Sequence, residues 1–354
     1  MGCLAKVEPN FWAGKRVFLT GESGFKGGWL TLWLLSKGAE VFGYSKGPVA
    51  EPAIFDILKL KKKCAVKIGD VADSAALSAA MKSFKPDLVM HLAAQSLVRE
   101  SYRDPLGTVA SNVLGTANLL EAVRRVTSAR VALVVTTDKC YKQSEQKRAF
   151  IEEDPLGGAD LYSASKACAE LVTEAYTKSF MKTEGYQIAA VRAGNVVGGG
   201  DFANDRLIPD LMRELIFKQP CAIRMPEAVR PWQHIFDVLR GYLVLAQELW
   251  ADEKYSGAWN FGPPAVGLSV GEVAKEIYRL WGTNQKTKTS LAKLHEATYL
   301  HIDSTKANKQ LGWEMKLSMT ERLRWTVDWY QAYARGEEMA AYSLKQLKKY
   351  EELK

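Results

Sequence analysis

Cysteine is scarce in these 354 residues, and Cys3, Cys64, Cys140, Cys168 and Cys221 are odd in number and widely scattered. No Cys-x-x-Cys pair and no His/Cys cluster occurs, so a disulfide framework and a Cys/His zinc site are both excluded. Long apolar runs are missing too: none approaches the roughly 20 residues that cross a bilayer. The opening stretch MGCLAKVEPN has no apolar secretory core, and Lys6 stands where a myristoylation motif needs Ser or Thr. The expectation is a cytoplasmic protein without a membrane partner. Charge of one sign is not concentrated either. The net charge is +8, but the basic residues are dispersed. The one dense run, KLKKK at 59–63, reads as a solvated helix end. Nucleic acid is therefore not an expected partner, and a small anion such as a nucleotide accounts equally well for the excess.

What is present is alternation. Strands are expected at 16–20 (RVFLT), 40–44 (EVFGY), just before Gly69-Asp70, at 86–94 (PDLVMHLAA), 131–136 and 187–195 (QIAAVRAGN). Helical spacing occupies 25–37, 74–84, 108–126 and 161–183. Strands separated by helices of this length imply βαβ units and an α/β fold, a doubly wound parallel sheet of Rossmann type. Beyond 195 the order loosens at Gly- and Pro-rich joints, 198–200, 231 and 262–267. The expected division is a dinucleotide-binding domain over 1–195. Residues 196–354 would form a smaller C-terminal α/β domain facing a substrate, partly interleaved with the first.

The first strand runs into TGESGFKGGWL, which places Gly21, Gly24 and Gly27 in the pattern T-G-x-x-G-x-x-G. One glycine lets the chain turn, a second lets backbone approach a pyrophosphate, and the third lets helix and strand pack closely. The helix that follows adds a positive dipole end. GDVAD (Asp70, Val71), HLAAQ (Ala93, Ala94) and YSASK, with Tyr162 and Lys166 at i and i+4 on one helix face, complete a set. The set resembles the extended short-chain dehydrogenases/reductases. In them the Tyr is a base, and a neighbouring ammonium and a positive nicotinamide lower its ordinary pKa of about 10. Strand two ends FGYSK, without the acid that usually accepts the adenine ribose hydroxyls, and Lys46 would suit the 2′-phosphate of NADP. The resemblance implies NAD instead.

TTDKCY, at 136–141, follows the apolar run VALVV and puts Asp138 and Lys139 side by side at a strand exit. By itself such a pair reads as a surface turn of little energetic consequence. It is similar, however, to the T-D-E-V-Y turn of nucleotide-sugar 4,6-dehydratases, with Lys where most carry Glu. The Asp-Lys version resembles their CDP-glucose branch. HLAAQSLVRESY, VRAGNVVGGGDFANDRLIPD, RPWQHIFDVLRGY, WNFGP and HEATYLHIDSTKA…LGW carry the likeness over nearly the whole chain.

The resemblance implies a three-step conversion of CDP-glucose to CDP-4-keto-6-deoxyglucose: oxidation at C4, loss of water across C5 and C6, and reduction at C6 by recycled NAD. Tyr162 would take the C4 hydroxyl proton, with Thr137 bonded to the C4 oxygen and Lys166 holding Tyr162 and the nicotinamide ribose. Asp138 would protonate the departing C6 hydroxyl, and Lys139, or a water it orients, would remove the C5 proton. Cofactor contacts would come from Gly21, Ser23, Gly24, Phe25, Lys26, Asp70, Val71, Leu92, Ala93, Ala94 and Ser111, with Tyr162 and Lys166. Substrate contacts would come from Gln95, Thr137, Asn195, Arg206, Leu207, Arg224, Arg230, Asn260 and Tyr299. Arg206 and Arg230 are the candidates for the diphosphate, since a guanidinium meets phosphate oxygens bidentately. His234 and His295 read as structural or substrate-shell residues, and no metal is implied.

Two rivals stay open at this point. One is a 4-epimerase or a dehydratase of GDP- or dTDP-sugars; Asp138 argues against the first and Lys139 against the dTDP enzyme. The other is a silent dinucleotide-binding scaffold, opposed by intact Thr137, Tyr162 and Lys166. Relatives pair through the Tyr-bearing helix and its neighbour around 108–126, so a homodimer, or a tetramer built from it, is expected.

Overall fold

The computed structural model describes residues 6–48, 50–143, 148–264, 267–285, 288–290 and 300–354. Eleven strands occur among them: β1 (Arg16–Thr20), β2 (Glu40–Ser45), β3 (Ala65–Ile68), β4 (Leu88–His91), β5 (Val131–Val135), β6 (Gln187–Ala193), β7 (Val196–Val197), β8 (Ala222–Arg224), β9 (Gln233–His234), β10 (Gly257–Phe261) and β11 (Lys288–Ser290). Seven form one parallel sheet in the order β10-β6-β5-β4-β1-β2-β3. β7 pairs with β9, and β8 with β11, as two small ribbons.

The period of two along each strand decides which layer a side chain joins. Val17 and Leu19 of β1, with Val131, Leu133 and Val135 of β5, face one apolar layer. That layer is filled from the helices Phe25–Ser36 and Ile235–Ala251 by Trp29, Trp33, Phe236 and Leu239. Phe18 of β1 and Ala132 and Val134 of β5 face the opposite layer, with Leu77 and Met81 of helix Ser74–Phe84 and Leu119 of helix Gly115–Arg125. Both faces are dry, which is why these strands read as continuous apolar runs. The doubly wound parallel sheet is the fold expected from the sequence.

Three details differ. The strand expected over 86–94 stops at His91, because Ala93 leaves the ladder and its amide bonds Thr20 Oγ1 at 3.2 Å. The helix expected over 108–126 is assembled from Pro105–Val109, a π-helical turn at Ala110–Leu114, and Gly115–Arg125. Helix 161–183 likewise breaks after Tyr176 into a π-helical turn, Thr177–Met181. WNFGP contributes a further strand: Gly257–Phe261 lies parallel beside β6 as β10, so the chain returns to the main sheet after residue 195. Among the described residues no helix is long and apolar enough to cross a membrane, and no His, Cys, Asp or Glu group could hold a metal.

Candidate active site

Strand order reverses at β1, which has β2 on one side and β4 on the other. The carboxyl ends of the strands open there into a cavity of about 880 Å³, the place where doubly wound sheets bind ligands. The glycine turn forms its floor. Gly21 has φ +74°, and a Cβ on it would lie 2.7 Å from the Ala93 amide nitrogen. A Cβ on Gly27 would meet the Gly21 carbonyl at 2.0 Å, so helix and strand touch there. A Cβ on Gly24 would meet only the Gly21 carbonyl, at 3.4 Å, and Gly24 lines the cavity. Backbone is thus bared to a ligand at the N-terminus of helix Phe25–Ser36, an arrangement that fits a dinucleotide pyrophosphate.

All the residues assigned to the cofactor line this cavity: Gly21, Ser23, Gly24, Phe25, Lys26, Asp70, Val71, Leu92, Ala93, Ala94 and Ser111, together with Tyr162 and Lys166. Lys46, the residue suited to a 2′-phosphate, is paired with Asp70 at 2.7 Å.

Thr137, Asp138 and Lys139 form the turn at the exit of β5, with Lys139 N bonded to Thr137 Oγ1 at 3.3 Å. All three line the same cavity as Tyr162 and Lys166. Asp138 is buried; its Oδ1 accepts from Thr137 Oγ1 at 3.0 Å, and its Oδ2 has no hydrogen-bond partner among the described residues. A Cβ on Gly194 would lie 2.9 Å from that Oδ2, so only glycine leaves the carboxyl its room. Burial pushes the Asp138 carboxyl up, against the pull of Lys139, Thr137, Arg230 and Lys26. Burial also pushes the Tyr162 phenol up to about 12, partly offset by hydrogen bonding to Thr137. Lys166 goes the other way, down to about 8, chiefly through burial, and its Nζ donates to the Val135 carbonyl at 3.1 Å. The ammonium expected beside the phenol is bonded to β5 here.

Of the substrate assignments, Gln95, Thr137, Asn195, Arg206, Leu207, Arg224 and Arg230 line the cavity. Arg206 bridges Asp201 (2.9 Å) and Ser96 (3.0 Å). Gln95 is tied inward, its Nε2 to Thr108 Oγ1 at 2.9 Å and its Oε1 to the Leu97 amide at 2.5 Å. Asn260 is fully buried outside the cavity lining, with Oδ1 accepting from Tyr141 OH (2.7 Å) and Nδ2 donating to the Phe150 carbonyl (3.0 Å). Tyr299 and His295 lie outside the described residues. His234 is buried and caps helix Ile235–Ala251, Nδ1 accepting from the Phe236 amide.

Some cavity residues escaped sequence reasoning. Arg99 also lines the cavity and shares Asp205 Oδ1 with Arg224, at 3.2 and 3.1 Å, so that one carboxylate holds two of the cavity's guanidiniums. Behind β5, Glu170 and Arg192 form a buried pair at 2.9 Å, and Glu170 also accepts from Thr136. The i, i+4, i+8 series Tyr162, Lys166, Glu170 was the one local signal for that carboxylate.

Comparison with known proteins agrees with this arrangement. The sequence model of the GDP-mannose 4,6 dehydratase family matches residues 18–326. A CDP-glucose 4,6-dehydratase of Salmonella typhimurium is 43% identical over 352 residues, covering 97% of this chain and 98% of the relative. A probable dTDP-glucose 4,6-dehydratase of Sinorhizobium fredii is 28% identical over 89% of this chain and 92% of its own length. Among solved structures, a dTDP-glucose 4,6-dehydratase from Streptomyces venezuelae with NAD bound superposes with a TM-score of 0.79 at 23% identity, over 92% of this chain and 99% of the other. A UDP-glucose 4-epimerase from Thermotoga maritima reaches 0.78 at 21% identity, over 90% and 99%. At those identities the structures speak for the fold.

Proposed function

The chain belongs to the GDP-mannose 4,6-dehydratase family of nucleotide-sugar dehydratases, and from that premise we propose that it removes water from CDP-glucose to give CDP-4-keto-6-deoxyglucose. The observation that carries this is the shared cavity. Tyr162 and Lys166, the pair that would handle the proton when a nicotinamide oxidises a carbinol, line one cavity with the buried Asp138 and with Lys139, which a simple reductase would not need. The whole-length identity to a CDP-glucose enzyme supports the nucleotide.

The glycine cradle fits NAD. Held by Gly21, Ser23, Gly24 and Lys166, NAD would supply a recyclable hydride acceptor and a positive charge beside Tyr162. Tyr162 takes the C4 hydroxyl proton, with Thr137 bonded to the same oxygen. Lys166 braces that arrangement from the β5 carbonyl. Asp138, whose burial favours its protonated form, gives its proton to the leaving C6 hydroxyl. Lys139, or a water it orients, removes the C5 proton made acidic by the C4 ketone. Arg206, Arg224, Arg230 and Arg99 hold the diphosphate and cytidine end.

Incubation with CDP-glucose should produce the alkaline absorbance of a 4-keto sugar with substoichiometric NAD. Faster turnover of dTDP-glucose or GDP-mannose, or one NAD consumed per product, would overturn the reading.

On the same reading, the protein works in the cytoplasm as a homodimer or a tetramer built from it. Support comes from Leu106, 81% exposed, and Leu171, 53% exposed, on adjoining helices with Tyr102, Val109 and Leu114 also exposed. Apolar groups gathered on one face mark a self-complementary contact. Leu106→Glu with Leu171→Glu should sediment as a monomer; an unchanged sedimentation coefficient would place the interface elsewhere.

A further inference from the structure

The last residue of β2 is where dinucleotide-binding sheets usually place an acid against the adenine ribose hydroxyls. Here it is Ser45, and the acid comes from elsewhere. Glu22, in the glycine turn, is 1% exposed, and its side chain lies across β2. A Cβ on Gly43 would come within 2.3 Å of Glu22 Cγ, so the glycine inside that strand is the space the carboxylate occupies.

Glu22 Oε1 accepts from Ser45 Oγ at 2.8 Å, and Oε2 has no hydrogen-bond partner among the described residues. Ser45 Oγ is 2.9 Å from Ser23 Oγ, which in turn reaches the Gly47 carbonyl at 2.9 Å. Ser23, Ser45 and Gly47 line the cavity, while Glu22 stands behind them.

A hydroxyl has one proton. Ser45 gives its proton to Glu22 and accepts from the Gly47 amide at 3.3 Å. With Ser23 bonded to the Gly47 carbonyl, what the two serines have left for the cavity is lone pairs. A ribose 2′-hydroxyl, a donor, satisfies them. A 2′-phosphate brings only acceptors and negative charge, against serine oxygens that are acceptors and a Glu22 carboxyl behind them that burial pushes up. Lys46, the residue after Ser45, is paired with Asp70 at 2.7 Å.

On the reading that this cavity holds a nicotinamide dinucleotide, we propose that Glu22 is a positioning residue. Acting through Ser45, it makes the adenine-ribose end select a free 2′-hydroxyl, and hence NAD over NADP.

The test is direct binding, read by quenching of intrinsic tryptophan fluorescence with the full-length protein, its bound nucleotide removed. Wild type should bind NAD at least about 30-fold more tightly than NADP, a gap of roughly 2 kcal/mol. Glu22→Gln keeps the shape but turns one acceptor oxygen into an amide donor. It should narrow the ratio at least tenfold, chiefly by tightening NADP. Ser45→Ala should narrow it by loosening NAD.

Equal binding of the two dinucleotides by wild type would overturn the proposal. So would a Glu22→Gln variant that loses both equally, since that is what a merely structural carboxylate does. Binding of neither dinucleotide by folded wild-type protein would overturn the cofactor reading itself.

Discussion

Two clusters of charge meet at the end of β5, and they are built on opposite terms. Behind the strand, Arg192 lays both arms on Glu170; its remaining nitrogen reaches Tyr141 OH at 2.7 Å and the Glu152 carbonyl at 2.9 Å, and Tyr141 in turn donates to Asn260. Every one of these groups has its partners within the chain. In front of the strand, Asp138 Oδ2 has none, and Lys26 is pushed down to about 8 by burial and by Arg206 and Lys166. Each cluster holds a buried carboxyl, Glu170 behind and Asp138 in front, so burial of the acid does not distinguish them. Saturation does. A fully bonded cluster fixes geometry and has no capacity left for chemistry, whereas the open one is costly until a ligand completes it.

The sharpest way to break the comparison is to unbalance the saturated side. Glu170→Gln leaves Arg192 buried without its counter-charge and should cost about 3–5 kcal/mol of stability, read as a fall in Tm. If the variant melts like wild type, the pair is not holding β5 to its helix. On the open side the loss should appear in rate rather than stability. Tyr162→Phe removes one hydroxyl and should lower turnover at least about 10²-fold with an unchanged melting temperature. Asp138→Asn should cost turnover on a similar scale but stall later. Reduced nicotinamide should build up on mixing with CDP-glucose, with little 4-keto-6-deoxy product, because an amide cannot protonate the leaving hydroxyl.

That carboxyl is also the handle for pH. Asp138 acts as its protonated form, and burial raises its pKa. Turnover should therefore be sustained below that raised value and decline as pH rises through it; Asp138→Asn should lack this alkaline limb. A limb that survives would assign it to another group. The smallest effect belongs to Arg224→Ala at the cavity rim, where Arg99 still holds Asp205. KM for the nucleotide sugar should rise about tenfold with kcat nearly unchanged, the mark of uniform binding.

The difference between the two clusters also explains what was legible in the sequence. The glycine spacing, the Tyr–Lys step and TTDKCY are local patterns, set by turns and helix pitch, and the structure brings them to one cavity. The strand exits were legible because both-face burial leaves runs such as VALVV without a polar residue. The saturated cluster was not, since Glu170, Arg192, Tyr141 and Asn260 are joined only by the sheet, and nothing in their own neighbourhoods names the partner. Asn260 was drawn toward the substrate by its motif, yet both ends of its amide are used inside the protein. Arg99 and Asp205 failed for the same reason. The sequence did not show the bond of Lys166 to β5, because reaching a carbonyl rather than a phenol is a matter of a few ångströms of side-chain direction.

The return of the chain to the sheet bears on how the protein comes to be made. β6 is complete at Ala193, but its neighbour β10 begins at Gly257. While residues 194–256 emerge during synthesis, the apolar strand QIAAVRA presents an open row of amides and carbonyls, the kind of edge that recruits other chains. Only when β10 docks is the row closed. The new outer edge is then blunted by Glu152, which accepts from the Asn260 amide at 2.8 Å, and by Lys306, whose ammonium reaches the Ala258 carbonyl at 2.8 Å. A nascent chain that stalls between these two strands should therefore aggregate or need a chaperone, whereas one released after Lys306 carries its own protection against edge-to-edge assembly.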